Sequence, residues 1–206
     1  LSGLGAGRWL GRVGYEEGLE AQLEAHGRVM GGGAGEILLL EHEPVFTIGR
    51  TRDRSSLGDV AGLPYPVVET NRGGQATYHG PGQLVGYVVL DLRRHGQDLH
   101  VYLRELEGLV IDLARRYGAA AGRRDGLTGV WVGEGKLASI GVGVRRWVTM
   151  HGFALNVTRE SLGAFGSIVP CGLGGVEMVC LEGVGDASMA GLGVAGMAEG
   201  MMEVLV

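Results

Sequence analysis

"GVWVGEGKLASIGVGV", residues 129–144, decides the fold. Apolar runs rich in valine and isoleucine flank Gly133-Glu134-Gly135-Lys136, which has the composition of a hairpin loop. "VTMHGFALNV" (148–157) follows as a further strand, so this part of the chain reads as consecutive antiparallel strands. Upstream, "EILLLEHEPVFTIGR" (36–50) is an apolar run interrupted at Pro44, read as strand, turn and strand. "PVVET" and "GQLVGYVVLDL" add strands over Val67–Thr70 and Leu84–Leu92.

Helices bracket these strands. Tyr15, Leu19, Leu23 and Met30 fall close to one helical face before the breaker Gly31-Gly32-Gly33. From Asp98, a residue suited to N-capping, Leu99, Tyr102, Leu103, Leu106, Leu109, Val110 and Leu113 recur at helical spacing as far as Gly118. Residues 187–204 read as a C-terminal helix, weakened by Gly191, Gly193, Gly196 and Gly200 at about 1 kcal/mol each against alanine. The fold class is α+β, a largely antiparallel sheet with flanking helices.

Composition excludes several functions. The 206 residues fill one core, read as a single domain over 1–206, and no apolar run approaches the roughly 18 residues of a membrane span. The N-terminal stretch has no secretory pattern, so a cytoplasmic protein is expected. Cys171 and Cys180 are too few for a disulfide framework and lack metal-ligand spacing. A net charge of −5 argues against general nucleic-acid binding, although the doublets Arg93–Arg94, Arg115–Arg116, Arg123–Arg124 and Arg145–Arg146 could form a local basic patch. The 41 glycines far exceed the usual share of about 7% and mark turns and places of close backbone approach.

Lys136 is the only lysine among eighteen basic side chains, the rest being arginine. A lysine can give or take a proton where an arginine cannot. "NRGGQATYHGPGQLVGY" (71–87) gathers Gly73, Gly74, Gly80 and Gly82 around Arg72, Tyr78 and His79, a ligand-facing loop of bare backbone and polar handles. "GSIVPCGLGGVEM" (166–178) sets Cys171 between proline and glycine in a break, the position of a nucleophile, whereas Cys180 has the apolar neighbours of a packed residue.

"HEPVFTIGR", "RGGQATYHGPGQLVGY", "GLTGVWVGEGKLASIGV", "HGFALNV" and "IVPCG" together resemble the lipoyl(octanoyl) transferase family, in its order and spacing over most of residues 37–172. The resemblance implies the fold of the biotin and lipoate ligase catalytic domains. It implies a catalytic dyad, Cys171 carrying the acyl group as a thioester and Lys136 beside it. It also implies acyl-substrate contacts from Arg72, Gly73, Gly74, Gln75, Ala76, Thr77, Tyr78 and His79, from Ser139, Ile140 and Gly141, and from Gly152, Phe153 and Ala154. The expected donor is octanoyl-acyl carrier protein, and the expected acceptors are lipoyl domains of 2-oxoacid dehydrogenases and the glycine-cleavage H protein. No ATP or metal is expected, phosphopantetheine being carried by the donor. Oxyanion donors are sought among backbone amides of the Cys171 turn or the glycine loop. Arg145 and Arg146 are first candidates for carrier docking.

Three other readings are open. An ATP-dependent lipoate or biotin-type ligase of the same fold, hinted at by Gly49-Arg50-Thr51-Arg52, would not need Cys171. A silent acyl-binding module would bind without turnover. A cysteine hydrolase with His151 or His79 as base would prefer water to an amine.

Overall fold

In the computed structural model, which describes residues 1, 4, 5 and 7–205, the quoted stretch forms β8 (Leu127–Val132) and β9 (Gly135–Arg145). They belong to a seven-stranded sheet ordered β1-β2-β6-β10-β9-β8-β7. Its other members are β1 (Arg8–Val13), β2 (Glu36–His42), β6 (Gln83–Val89), β7 (Gly122–Arg124) and β10 (Val148–Asn156). Only β1 and β2 run parallel; the remaining pairs are antiparallel, as the hairpin reading requires.

The central strands are apolar on both faces because helices cover both. Ile37, Leu39, Leu84, Val88, Phe153 and Leu155 pack under α2 (Leu99–Arg116) and α3 (Val194–Val204). Leu38, Leu40, Val85, Tyr87 and Ala154 point the other way, toward α1 (Tyr15–Met30). A smaller sheet, β4 (Val67–Glu69), β3 (Val45–Ile48) and β5 (Thr77–His79), carries its own cluster of Phe46, Ile48, Tyr78 and Phe165. β2 and β3 are thus consecutive strands in different sheets rather than a hairpin.

Asp98 caps α2 as expected, its carboxylate accepting from the His100 and Val101 amides. Other elements depart from the sequence reading. The face of α1 against the sheet is Gly18, Gln22, Ala25, His26 and Val29, while Leu23 is 48% exposed. This face is small and polar because it covers polar groups on the sheet as well as apolar ones. The hairpin turn is Gly133-Glu134 alone, and Lys136 lies inside β9. Beyond the end of β10, residues 177–179 take over as a partner of this strand: the Lys136 N–H donates to Glu177 O and Lys136 O accepts from the Val179 N–H. The C-terminal helix starts only at Val194, after a 3-10 turn at Ala187–Met189, because Gly191 has φ +74° and Gly193 is extended.

Candidate active site

Cys171 occupies a tight 3-10 turn, Pro170–Gly172, in the left-handed region at φ +57°. Such a conformation is strained for a side-chain-bearing residue and is found where structure around it overrides the cost. Here the Cys171 N–H donates to Ala76 O at 2.8 Å, tying the turn to the glycine loop. Ser56 reinforces the tie: its hydroxyl donates to Gln75 Oε1 and accepts from the Ala76 N–H, while its carbonyl accepts from Val169. The chain then returns to Lys136 through residues 177–179, so both ends of the Cys171 loop are fixed.

Lys136 Nζ lies 3.0 Å from Cys171 Sγ, and Ser139 Oγ lies 3.6 Å from the same sulfur. The lysine is 3% exposed and its ammonium stands 5.5 Å from the Trp131 ring centroid. Gly129 makes room for its stem. A β-carbon there would come within 2.8 Å of Lys136 Cε and 2.7 Å of Ala138 O, and φ is +128°. Cys180 is buried 3% exposed in the core, away from this arrangement, and its thiol is pushed up by burial.

A cavity of about 240 Å³ opens beside the sulfur. Of the expected contacts, Arg72, Gly74, Gln75, Thr77 and His79 line it, as do all of Ser139-Ile140-Gly141 and Gly152-Phe153-Ala154. Gly73, Ala76 and Tyr78 are not in its wall; alternation along β5 turns Tyr78 into the small-sheet cluster. Gly152 and Gly86 let β10 and β6 close up at the cavity wall, since a β-carbon at 152 would collide with Gly86 O and one at 86 with the Phe153 ring.

The Arg72 guanidinium is engaged by its own loop. Nη1 donates to Gly73 O and Gln75 O, and Nη2 to Thr47 O and Oγ1. The carbonyls of Arg72, Gly73 and Gly74 all converge on Gly49, where a β-carbon would collide with all three. In a trans peptide the next N–H points opposite to the carbonyl. The Gly73, Gly74 and Gln75 amides therefore face away from Gly49. Gly73 donates to Val142 O; Gly74 and Gln75 have no acceptor among the described residues. By contrast the amides of Cys171, Gly172 and Leu173 are all engaged, with Ala76, Val169 and Pro170 carbonyls.

A match to the family model described as the lipoyl protein ligase A/B catalytic domain runs over residues 15–191. The chain belongs to this family. It is similar to the octanoyltransferase of Geobacter metallireducens, 54% identical over 178 residues covering 86% of this chain and 82% of that one. It is also similar to the octanoyltransferase of Clostridium kluyveri, 43% identical over 175 residues covering 82% and 75% of the two chains. Among solved structures, a lipoate-protein ligase A bound with ATP superposes with a TM-score of 0.72 at 16% identity, covering 98% of this chain and 86% of that one. The bi-partite lipoate protein ligase of Thermoplasma acidophilum does so with a TM-score of 0.68 at 18% identity, covering 97% and 84%. At these identities the two structures establish the shared fold.

Tyr15, Val85, Tyr87, Leu127 and Leu173 are further wall residues that sequence reasoning did not assign, and His151, weighed there only as a hydrolytic base, joins them. His151 is the least legible. Strand alternation puts it with Phe153 and Leu155 under α2, but its φ of +59° turns it to the α1 face. There its N–H donates to Gln22 Oε1, its Nε2–H donates to Asn71 Oδ1 at 2.6 Å, and its ring meets Tyr87 edge-on. Burial, helped by the Arg72 and Arg50 charges, lowers its pKa to about 4, so the imidazole is neutral. His42, bonded to the Tyr87 hydroxyl at 2.7 Å, is lowered to about 4 by burial. His79, held by Gln83 and Thr47, is lowered to about 3 by burial and then by His42. With its neighbours holding both ring nitrogens, His79 is poorly placed to serve as a hydrolytic base.

Proposed function

We propose that this chain transfers an octanoyl group from a thioester donor to a lysine side chain through an acyl-enzyme on Cys171. The observation that carries the reading is the buried Lys136 ammonium 3.0 Å from the Cys171 sulfur at the edge of an apolar-walled cavity. The thiolate is the nucleophile of such chemistry, and the ammonium supplies charge beside it. Cys171 attacks the thioester carbonyl, and the Gly74 and Gln75 amides, in the cavity wall and without an acceptor among the described residues, are the candidate oxyanion donors. The donor sulfur leaves and takes a proton from Lys136. The acceptor amine then attacks the new thioester, gives up its proton to the same lysine, and the amide forms as Cys171 is released.

The donor proposed is octanoyl-acyl carrier protein, and the acceptors are lipoyl domains of 2-oxoacid dehydrogenases and the glycine-cleavage H protein. No ATP is needed, because the donor is already a thioester and its conversion to an amide runs downhill. Burying most of an eight-carbon chain, at about 0.8 kcal/mol per methylene, contributes around 5 kcal/mol to recognition. Mass spectrometry after incubation with octanoyl-acyl carrier protein tests the reading. One octanoyl adduct on Cys171, absent in Cys171→Ala and retained in Cys180→Ala, is expected. ATP-dependent product from free octanoate in Cys171→Ala would instead make this a ligase.

A further inference from the structure

The β9–β10 hairpin ends in an unusual turn. Arg145 pairs with Val148, leaving Arg146 and Trp147 as the two turn residues at φ +53° and +67°. Two successive left-handed residues suit Asn-Gly, whereas a bulky pair there is strained. The turn is anchored at its base, Trp147 O accepting from the Leu92 N–H at 2.8 Å, while the Trp147 side chain is 42% exposed.

Arg145 and Arg146 are exposed as well. Each of the other three arginine doublets has a member paired with an acid: Arg93 with Asp91, Arg116 with Glu203, and Arg123 and Arg124 with Glu107 and Glu134. Arg145 and Arg146 form no ion pair among the described residues. On a chain of net charge −5, an unneutralised cationic tip beside an exposed tryptophan is the composition of a protein-binding hot spot.

We propose that Arg145, Arg146 and Trp147 form the docking point for an acidic protein carrying the acyl thioester on a flexible arm, a partner that rests on the transfer reading above. Ser139, Gly141, Gly143 and Arg145 alternate onto one face of β9, the face of Cys171 and the glycine loop. Arg145 lies six positions along the strand from Ser139, which is beside the sulfur, or about 20 Å at a strand rise of about 3.3 Å per residue. A lysine acceptor reaches out only on a four-carbon stem, so its domain must sit against Cys171 itself. A donor delivered on a long arm can dock at the hairpin tip.

Binding of octanoyl-acyl carrier protein to the Cys171→Ala chain tests this without turnover. Arg145→Glu with Arg146→Glu should weaken binding at least tenfold and flatten its salt dependence. Arg146→Asn with Trp147→Gly should weaken it too while raising the melting temperature, a result that a merely structural turn would not give. In the Cys171 enzyme the same changes should raise KM for carrier-borne octanoyl and leave transfer from octanoyl-pantetheine and KM for the lipoyl domain unchanged. Undiminished carrier binding, or equal losses on the two donors, would overturn the proposal. Intact binding without any acyl transfer would count against the transfer reading alone.

Discussion

Among the lysines and arginines of this protein Lys136 is the one side chain able to move a proton, and it is the one set 3.0 Å from the cysteine sulfur. Charge and proton transfer are separable jobs. Lys136→Arg keeps a cation near Cys171 but removes the acid and base, and its larger head must fit between Trp131 and Gly129. We expect this variant to retain alkylation of Cys171 by iodoacetamide while acyl transfer falls at least about a hundredfold, the low end of the roughly 10²–10⁴ that acid–base catalysis contributes. Lys136→Ala should lose both. Full transfer by the arginine variant would assign the lysine an electrostatic role only. At this scale the Lys136–Cys171 pairing was legible through motif resemblance and the singular lysine, whereas His151 was named only as a possible hydrolytic base and its place in the cavity wall was not legible. Its entry into the site depends on one backbone dihedral, and strand alternation points the wrong way.

Elements show where glycine is required and where it is incidental. Gly129 in β8 has φ +128° and borders the Lys136 stem, so Gly129→Ala meets both a backbone penalty and a collision with Ala138 O and Lys136 Cε. It should cost about 1–3 kcal/mol and also depress transfer, because the displaced atom belongs to the dyad. Gly27, on the exposed side of α1, has open space at its β-carbon, and Gly27→Ala should stabilise by about 1 kcal/mol, or 2–4 °C in Tm for a chain of this size. Thermal melts of the two variants, with activity, check the contrast. Sequence patterns could find α2 and the β8–β9 hairpin because long periodic runs and a turn signal agree there. They missed β1 and β5, which are short and glycine-flanked, and although they separated β2 from β3 at Pro44, nothing in the Glu43-Pro44 break reveals that the chain changes sheets. The C-terminal helix began late for a related reason, since the conformations at Gly191 and Gly193 are settled by tertiary packing.

For the whole molecule, the buried polar cluster between α1 and the two sheets sets how stability responds to acid. His42, His79 and His151 have pKa values lowered to about 4, 3 and 4, in each case chiefly by burial, against about 6.5 in an unfolded chain. Between those values the unfolded chain binds protons that the folded one refuses, so stability falls as pH falls. Each histidine's contribution to stability is present in full above pH 6.5 and is lost progressively down to its folded pKa, with a slope of up to about 1.4 kcal/mol per pH unit in between. Arg28 lowers the Glu36 pKa and Arg93 lowers that of Asp91, which adds to the loss only at still lower pH. We therefore expect Tm to decline steadily from pH 6.5 to pH 4.5, with the steepest loss before the carboxylates titrate. Imidazole NMR shifts of the three histidines should remain those of the neutral form while the protein stays folded at pH 5.5. A flat Tm over that interval, or three imidazoles already cationic in the folded protein at pH 5.5, would mean that the cluster behind the cavity accepts protons, and with them water, far more readily than its burial implies.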